Sequence, residues 1–330
     1  MKHIIKPLLT SLLLMASIHM ANAAPTHDDI RRTLVNAGLV VPIADISPSP
    51  IASLTQLNLT GELEPLLITD NLTYIIQGNI EANPSPITPM REQISTGKAG
   101  TPISPSHKTA LLTNMSHLKN ISEQAVFYHT NVDGLLWGMS GGGTAFLVSN
   151  DGRYFINGEI SVIKDGRLAG LDDDFESTKN RHVFAQLDES GLAIYPAKGR
   201  AIGTLYVATD IHCPYCRIFH NKINELNDKG ITIKAIGYPV YDESHAPMSR
   251  IWCESDNAKR ATLLTAAMKG IHTKQDCQNP NNLLTANQQT AHALAVFATP
   301  AIFHENGTLF EGQIETNEIL NFIHAQNARR

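Results

Sequence analysis

The feature that most constrains this chain is a pair of thiols set between a strand-like run and a helix-like run. Thr204-Leu205-Tyr206-Val207-Ala208-Thr209 is apolar and β-rich. Asp210-Ile211-His212-Cys213-Pro214-Tyr215-Cys216 follows, Ile218 to Leu226 has helical spacing, and Asp228-Lys229-Gly230 is a stop signal. Strand, Cys-x-x-Cys, helix places Cys213 at a helix N-terminus, where unpaired backbone N–H groups and the dipole favour a thiolate. Pro214 suits the first turn, since its missing N–H would have no intrahelical partner there. Cys216 lies one turn further in and can attack a mixed disulfide formed at Cys213. Thiol–disulfide exchange requires this arrangement.

Other uses of the motif are weaker. A zinc site would need a second Cys-x-x-Cys or a His-x3–5-His, and neither follows; a set of Cys213, Cys216, Cys253 and Cys277 would have to be gathered from separate segments. Haem attachment needs a histidine directly after the second cysteine, and that residue is Arg217. A purely structural Cys213–Cys216 disulfide stays open. His212 is a candidate for tuning the nucleophile or carrying protons, with an exposed loop histidine as the alternative. His220 reads as a helix-surface residue. The 14 histidines show no ligand spacing, so neither a metal nor a cofactor is expected. Thr299-Pro300 precedes a strand-like Ala301–His304, where proline is compatible with a trans or a cis bond.

The N-terminus gives an address. Lys2 and Lys6 flank the start of a short apolar core, Leu8 to Ala16, and Ala21-Asn22-Ala23 fits a small-residue cleavage site. Residues 1–23 read as a signal peptide cut after Ala23; as a membrane anchor the apolar run is too short. Export places the cysteines where disulfides persist. Cys253 and Cys277, 24 residues apart, are then expected as a structural disulfide, with a second redox couple as the alternative. Losing the leader's two lysines takes the net charge from −5 to −7. A mildly acidic chain without a clustered basic face is not a nucleic-acid binder.

The N-terminal half repeats itself. Asp28–Gly38 reads as a short helix, Pro42–Pro50 as a turn-rich connector, and Leu54–Leu59, Leu66–Thr69 and Tyr74–Ile80 as strands. Residues 84–106 hold Pro84, Pro86, Pro89, Pro102 and Pro105 among Ser, Thr and Gly, the composition of an extended linker. A helix-like run from His107 and strand-like runs up to Tyr154–Ile160 follow. Tyr74-Ile75-Ile76-Gln77-Gly78-Asn79-Ile80 matches Tyr154-Phe155-Ile156-Asn157-Gly158-Glu159-Ile160 at an offset of 80. A polar amphipathic run from Leu171 to about Glu189 reads as a connecting helix. The remainder has the order β-α-β, a helical insertion, then β-β-α, with Ala301–His304 and Thr308–Phe310 as a hairpin.

From Ala125 onward the chain resembles the DsbC/DsbG family of periplasmic thiol:disulfide interchange proteins. The resemblance rests on Asn150 to Gly158, Thr209 to Cys216, Ile251-Trp252-Cys253, Cys277, Ala298-Thr299-Pro300-Ala301-Ile302 and Asn306-Gly307-Thr308-Leu309. It implies a mixed fold, α+β / α/β: a thioredoxin-like catalytic domain at 191–330 with an inserted helical segment, behind a linker helix at 171–190 and a cystatin-like dimerisation domain. It implies Cys213 as nucleophile and Cys216 as its partner, a Cys253–Cys277 structural disulfide and a cis-proline loop at Thr299-Pro300. It further implies a homodimer whose cleft holds misfolded exported proteins with non-native disulfides, and a membrane thiol reductase, DsbD-like, that keeps the dithiol reduced.

This chain departs from that pattern by carrying two dimerisation-like modules, 24–83 and 107–170. Either the two pair within one chain as a pseudo-dimer, or the second dimerises between chains while the first decorates it.

Overall fold

The computed structural model describes residues 24–61, 63–118, 120–273 and 282–329. The expected leader, 1–23, and Cys277 lie outside the described residues.

Helix α1 (His27–Asn36) starts with a capping box between Thr26 and Asp29 and buries Ile30 and Leu34. They pack on strands β1 (Ile43–Pro48), β2 (Leu54–Leu59), β3 (Leu66–Thr69) and β4 (Tyr74–Gln77). The segment expected as a turn-rich connector, Pro42–Pro50, is therefore largely strand. Its prolines are tolerated because β1 is an outer strand paired with β2 alone. Strand β5 (Ile80–Ala82) follows.

The Pro-rich stretch at 84–106 is packed down rather than free. Met90 and Ile103 are buried with Leu111 and Met115 of helix α2 (Pro105–Asn114) and the residue that ends it. The Asn114 side chain accepts from the Thr88 amide at 2.8 Å and donates to the Thr88 carbonyl at 3.1 Å. Strands β6 (Val126–His129), β7 (Leu135–Met139), β8 (Ala145–Ser149), β9 (Tyr154–Ile156), β10 (Ile160–Lys164) and β11 (Arg167–Leu171) complete this half.

The repeated runs Tyr74–Ile80 and Tyr154–Ile160 each break into two strands that part company. One sheet has the order β1-β2-β3-β4-β10-β11 and the other β5-β9-β8-β7-β6, so each half lends strand to the other's sheet. Tyr74–Ile76 pair with Ile160–Val162, and Ile80–Ala82 with Tyr154–Ile156, along one antiparallel register. Gly78 and Gly158 lie between the two paired stretches. A Cβ on Gly158 would stand 2.3 Å from the Gln77 carbonyl oxygen, and one on Gly78 would stand 2.6 Å from that of Asn157. The offset of 80 maps one contact onto the other, so the crossing has an approximate twofold axis. Only glycine lets two backbones approach so closely.

Helix α3 (Asp173–Gln186) is capped by the Asp172 carboxylate, which accepts the amides of Asp174 and Phe175. A 3-10 turn at Glu189–Gly191 leads to β12 (Ala193–Tyr195), β13 (Gly203–Thr209), α4 (Pro214–Asn221), α5 (Ile223–Asp228) and β14 (Ile231–Gly237). The inserted helices are α6 (Asp242–Trp252), α7 (Asn257–Met268) and α8 (Leu283–Ala293); β15 (Ala301–His304) and α9 (Thr316–Asn327) follow. The sheet order is β12-β14-β13-β15, with β13 parallel to β14 and antiparallel to β15. The expected hairpin partner Thr308–Phe310 is reduced to a single bridge, Leu309 to Phe303.

Two sets of contacts fix this sheet to its surroundings. Phe184 of α3 stacks on Tyr206 of β13 with ring centres 4.1 Å apart and meets Phe303 of β15 edge-on, while Phe175 of the same helix meets Trp137 of β7. In the insertion, the Trp252 indole donates to the Gly191 carbonyl at 2.9 Å, and the buried Arg260 guanidinium donates to the carbonyls of Ser190 and Leu192.

The crossing can be tested directly. Gly158→Ala is expected to cost about 2 kcal/mol of unfolding free energy, the scale of an overpacked backbone contact. Gly142→Ala, whose Cβ meets nothing closer than 3.9 Å, serves as the control. Equal denaturation midpoints for the two variants would refute the close-approach argument.

Candidate functional site

Strand β13 is central in its sheet and buried for most of its length, so its C-terminal end is held firmly. Thr209 ends it, three residues turn, and Cys213 becomes the N-cap of α4, with Pro214 in the first turn. No side chain caps this helix, so its first N–H groups face the Cys213 end unopposed.

The two thiols are free and unlike. Cys213 is 3% exposed, and its Sγ donates to the Thr299 carbonyl at 3.1 Å. Cys216 is fully buried, and its sulfur accepts the Asp210 amide at 3.4 Å. Burial pushes the Cys216 thiol up to about 12, against smaller opposing contributions from the Asp210 amide and the hydroxyls of Thr209 and Thr299. Cys216 therefore keeps its proton at neutral pH. The Thr299-Pro300 bond is cis, and this loop is what the Cys213 thiol touches.

His212 is half-buried. Its Nδ1 lies 2.8 Å from the Ser244 hydroxyl of α6, and its ring is tilted against that of His272, centres 5.8 Å apart. Around this end of the sheet the chain exposes apolar side chains: Tyr215 (64% exposed) within the motif, Phe297 (67%) just before the cis-proline, and Val240 and Tyr241 after β14. Cys253, at the C-cap of α6, is disulfide-bonded, whereas Cys277 lies outside the described residues. Among the described residues no group of three or more His, Cys, Asp or Glu is placed to hold a metal ion, and no helix is long and apolar enough to cross a membrane.

Residues 189–327 match the model of a thioredoxin-like domain. The thiol:disulfide interchange protein DsbC of Pasteurella multocida is 27% identical over 179 residues, covering 53% of this chain and 74% of that protein. DsbC of Escherichia coli strain K12 is 24% identical over 181 residues, covering 53% and 71%. Among solved structures, a disulfide interchange protein from Neisseria gonorrhoeae is 18% identical with a TM-score of 0.36, covering 42% of this chain and 97% of that one. The chain carries a thioredoxin-like domain and is similar to DsbC thiol:disulfide interchange proteins. It is a thiol–disulfide oxidoreductase with a thioredoxin-like fold.

The fold gathers Cys213, Cys216, Thr299, Pro300 and His212 at one end of β13, and leaves Cys253 at the far end of α6. Sequence reasoning assigned no role to Asp210 or Ser244. Asp210 lay inside the motif, where its buried carboxylate could have been suspected. Nothing in the sequence marked Ser244.

His220 also differs from expectation. It faces inward from α4, bonds Thr265 through Nε2 at 3.0 Å and meets Tyr195 edge-on, because the insertion covers this face of the helix. Burial lowers its titration to about 4, with help from Lys269. The unfolded chain binds the proton near the ordinary 6.5, so between these values it holds more protons than the folded one. Stability is therefore expected to fall as pH drops from 6.5 to 4, by up to about 1.4 kcal/mol per pH unit from this group. Urea titrations of wild type and His220→Gln should diverge in slope across that window. Parallel curves would show that His220 is not held neutral.

Proposed function

We propose that this chain isomerises or reduces non-native disulfides in misfolded exported proteins, in the periplasm, through the Cys213-Pro214-Tyr215-Cys216 dithiol. The observation that carries this reading is the difference between the two thiols. Cys213, at the bare helix end, attacks a substrate disulfide. The Cys213–substrate S–S bond forms, the substrate S–S bond breaks, and its electron pair leaves with the second substrate sulfur. That freed thiol can attack another disulfide of the same client, returning Cys213 as a thiol with no net redox change. Alternatively Cys216 loses its proton and attacks the Cys213 sulfur, releasing a reduced client and an oxidised Cys213–Cys216 pair. The second course needs a dithiol donor, for which a DsbD-like membrane reductase is the proposed partner.

The remaining roles follow the same reading. Thr299 and Pro300 form the cis-proline loop against the nucleophile, and Cys253–Cys277 is proposed as the disulfide that pins the insertion. Residues 24–83 and 107–170 are proposed as two cystatin-like modules that pair with each other, so that one chain supplies the scaffold for which the family resemblance implies two. The shared register of β4–β5 with β9–β10 supports this pairing. A second reading, client binding with secondary redox activity, is favoured by the exposed aromatic rim of Tyr215, Tyr241 and Phe297.

Cys213→Ser separates them. Refolding of a scrambled-disulfide protein should drop to the uncatalysed rate, and an unchanged rate would defeat the isomerase reading. Light scattering should give the mass of one chain. A stable dimer that persists after deletion of residues 24–105 would defeat the pseudo-dimer.

A further inference from the structure

Asp210 is fully buried at the end of β13, yet its carboxylate is crowded with donors. Oδ1 accepts the His212 amide at 2.7 Å and the Ser244 hydroxyl at 2.5 Å; Oδ2 accepts the amides of Val240 at 2.6 Å and Tyr241 at 3.1 Å. Ser244, also fully buried, has one hydroxyl proton, and that proton is on the bond to Asp210. Toward His212 Nδ1, 2.8 Å away, the same oxygen can only accept. Nδ1 must therefore carry a proton, and in the neutral ring the lone pair is on Nε2.

We propose that Asp210 and Ser244 are positioning residues that lock His212 in the Nδ1–H tautomer, making its Nε2 the proton carrier for exchange at Cys213. This rests on the exchange reading above and assigns the residues that handle its protons. In the step, Nε2 takes the Cys213 thiol proton as the sulfur attacks. The substrate S–S bond breaks, its electron pair goes to the departing sulfur, and the proton passes from Nε2–H to that sulfur. One disulfide and one thiol enter, and one disulfide and one thiol leave. The titratable and charged groups on the elements around His212 include Asp210, Cys213, Cys216 and Arg217 on its own segment and α4, Asp242, Glu243, His245 and Arg250 on α6, and His272 beyond α7.

The test uses the full chain with its insertion disulfide intact. Rates of Cys213 alkylation by iodoacetamide and of mixed-disulfide formation with oxidised glutathione are measured from pH 5 to 9. Near neutral pH, Ser244→Ala is expected to slow mixed-disulfide formation about tenfold, the equivalent of one net hydrogen bond, and to change the shape of the pH profile. Ser244→Thr should restore both. In a His212→Gln background, Ser244→Ala should add nothing, because both changes remove the same relay. Additive losses, or an unaltered profile, would overturn the proposal. Should Ser244→Ala not fold, the ring-nitrogen NMR signals of His212 in the wild-type chain decide the matter. An Nδ1–H tautomer supports the relay, and an Nε2–H tautomer defeats it. Both readouts are independent of whether the chain isomerises, reduces or oxidises its clients, so the relay can fail while the proposed function stands.

Discussion

The close approach of Gln77-Gly78 to Asn157-Gly158 is the constraint on which the N-terminal half depends. Neither paired stretch is long, three residues on each side of the glycines. Pairing through the crossing joins them into one register, so one sheet continues past β4 into β10 and β11 and the other past β9 into β5. An unpaired edge there would present free N–H and C=O groups, the usual template for pairing with another chain. The cost is borne at the glycines, where no side chain fits. The Pro-rich stretch after β5 then packs on α2, so the long connection between the halves is also used to cover apolar surface.

From this double sheet the order passes to the dithiol through α3. Its Phe175 meets Trp137 on β7, and its Phe184 stacks on Tyr206 of β13. Between them Lys179 is buried, its ammonium 4.3 Å from the centre of the Trp137 ring and 2.7 Å from the Glu176 carboxylate. A buried ammonium without such partners would carry a heavy desolvation penalty. With them, it ties one turn of the helix to the neighbouring sheet. The strand that carries Cys213 is thus braced from the scaffold side by aromatic packing. The insertion in turn holds the segment that leads into β12, through the bonds of Trp252 to Gly191 and of Arg260 to Leu192.

Much of this was legible because it follows from local rules. Cys213, Pro214 and Cys216 between a β-rich run and a helical one are read from spacing alone. The cis bond before Pro300 followed from resemblance, since a proline at a strand start is neutral on the point. What stayed hidden was settled by tertiary neighbours. Pro42–Pro50 looked like a connector because prolines discourage strands, and only its outer position in the sheet removes the objection. Gly78 and Gly158 looked like interior residues of single strands, and the break appears only when the other copy is laid beside it. His220 looked exposed because α4 alone has no indication of the insertion that covers it. Ser244 is 32 residues from His212 and had no pattern to betray it.

The burial of Cys216 bears on which exchange reaction the proposed isomerase completes. Once a client is attached to Cys213, two nucleophiles compete for that bond, Cys216 and a thiol of the client. Cys216 must first give up a proton in a dry pocket, and its titration near 12 leaves little thiolate at neutral pH. A client thiol in water titrates near the ordinary value and is far more often ionised, roughly a few per cent at pH 7. Proximity favours Cys216, because it is held in place; ionisation favours the client. The balance sets how long a mixed disulfide persists, and a long-lived one gives the client time to find its own rearrangement. Attack by Cys216 then becomes a slow release for clients that do not rearrange. On this view the hydroxyls of Thr209 and Thr299 and the Asp210 amide, which oppose the desolvation of Cys216, set the timing of release as well as satisfying a buried sulfur.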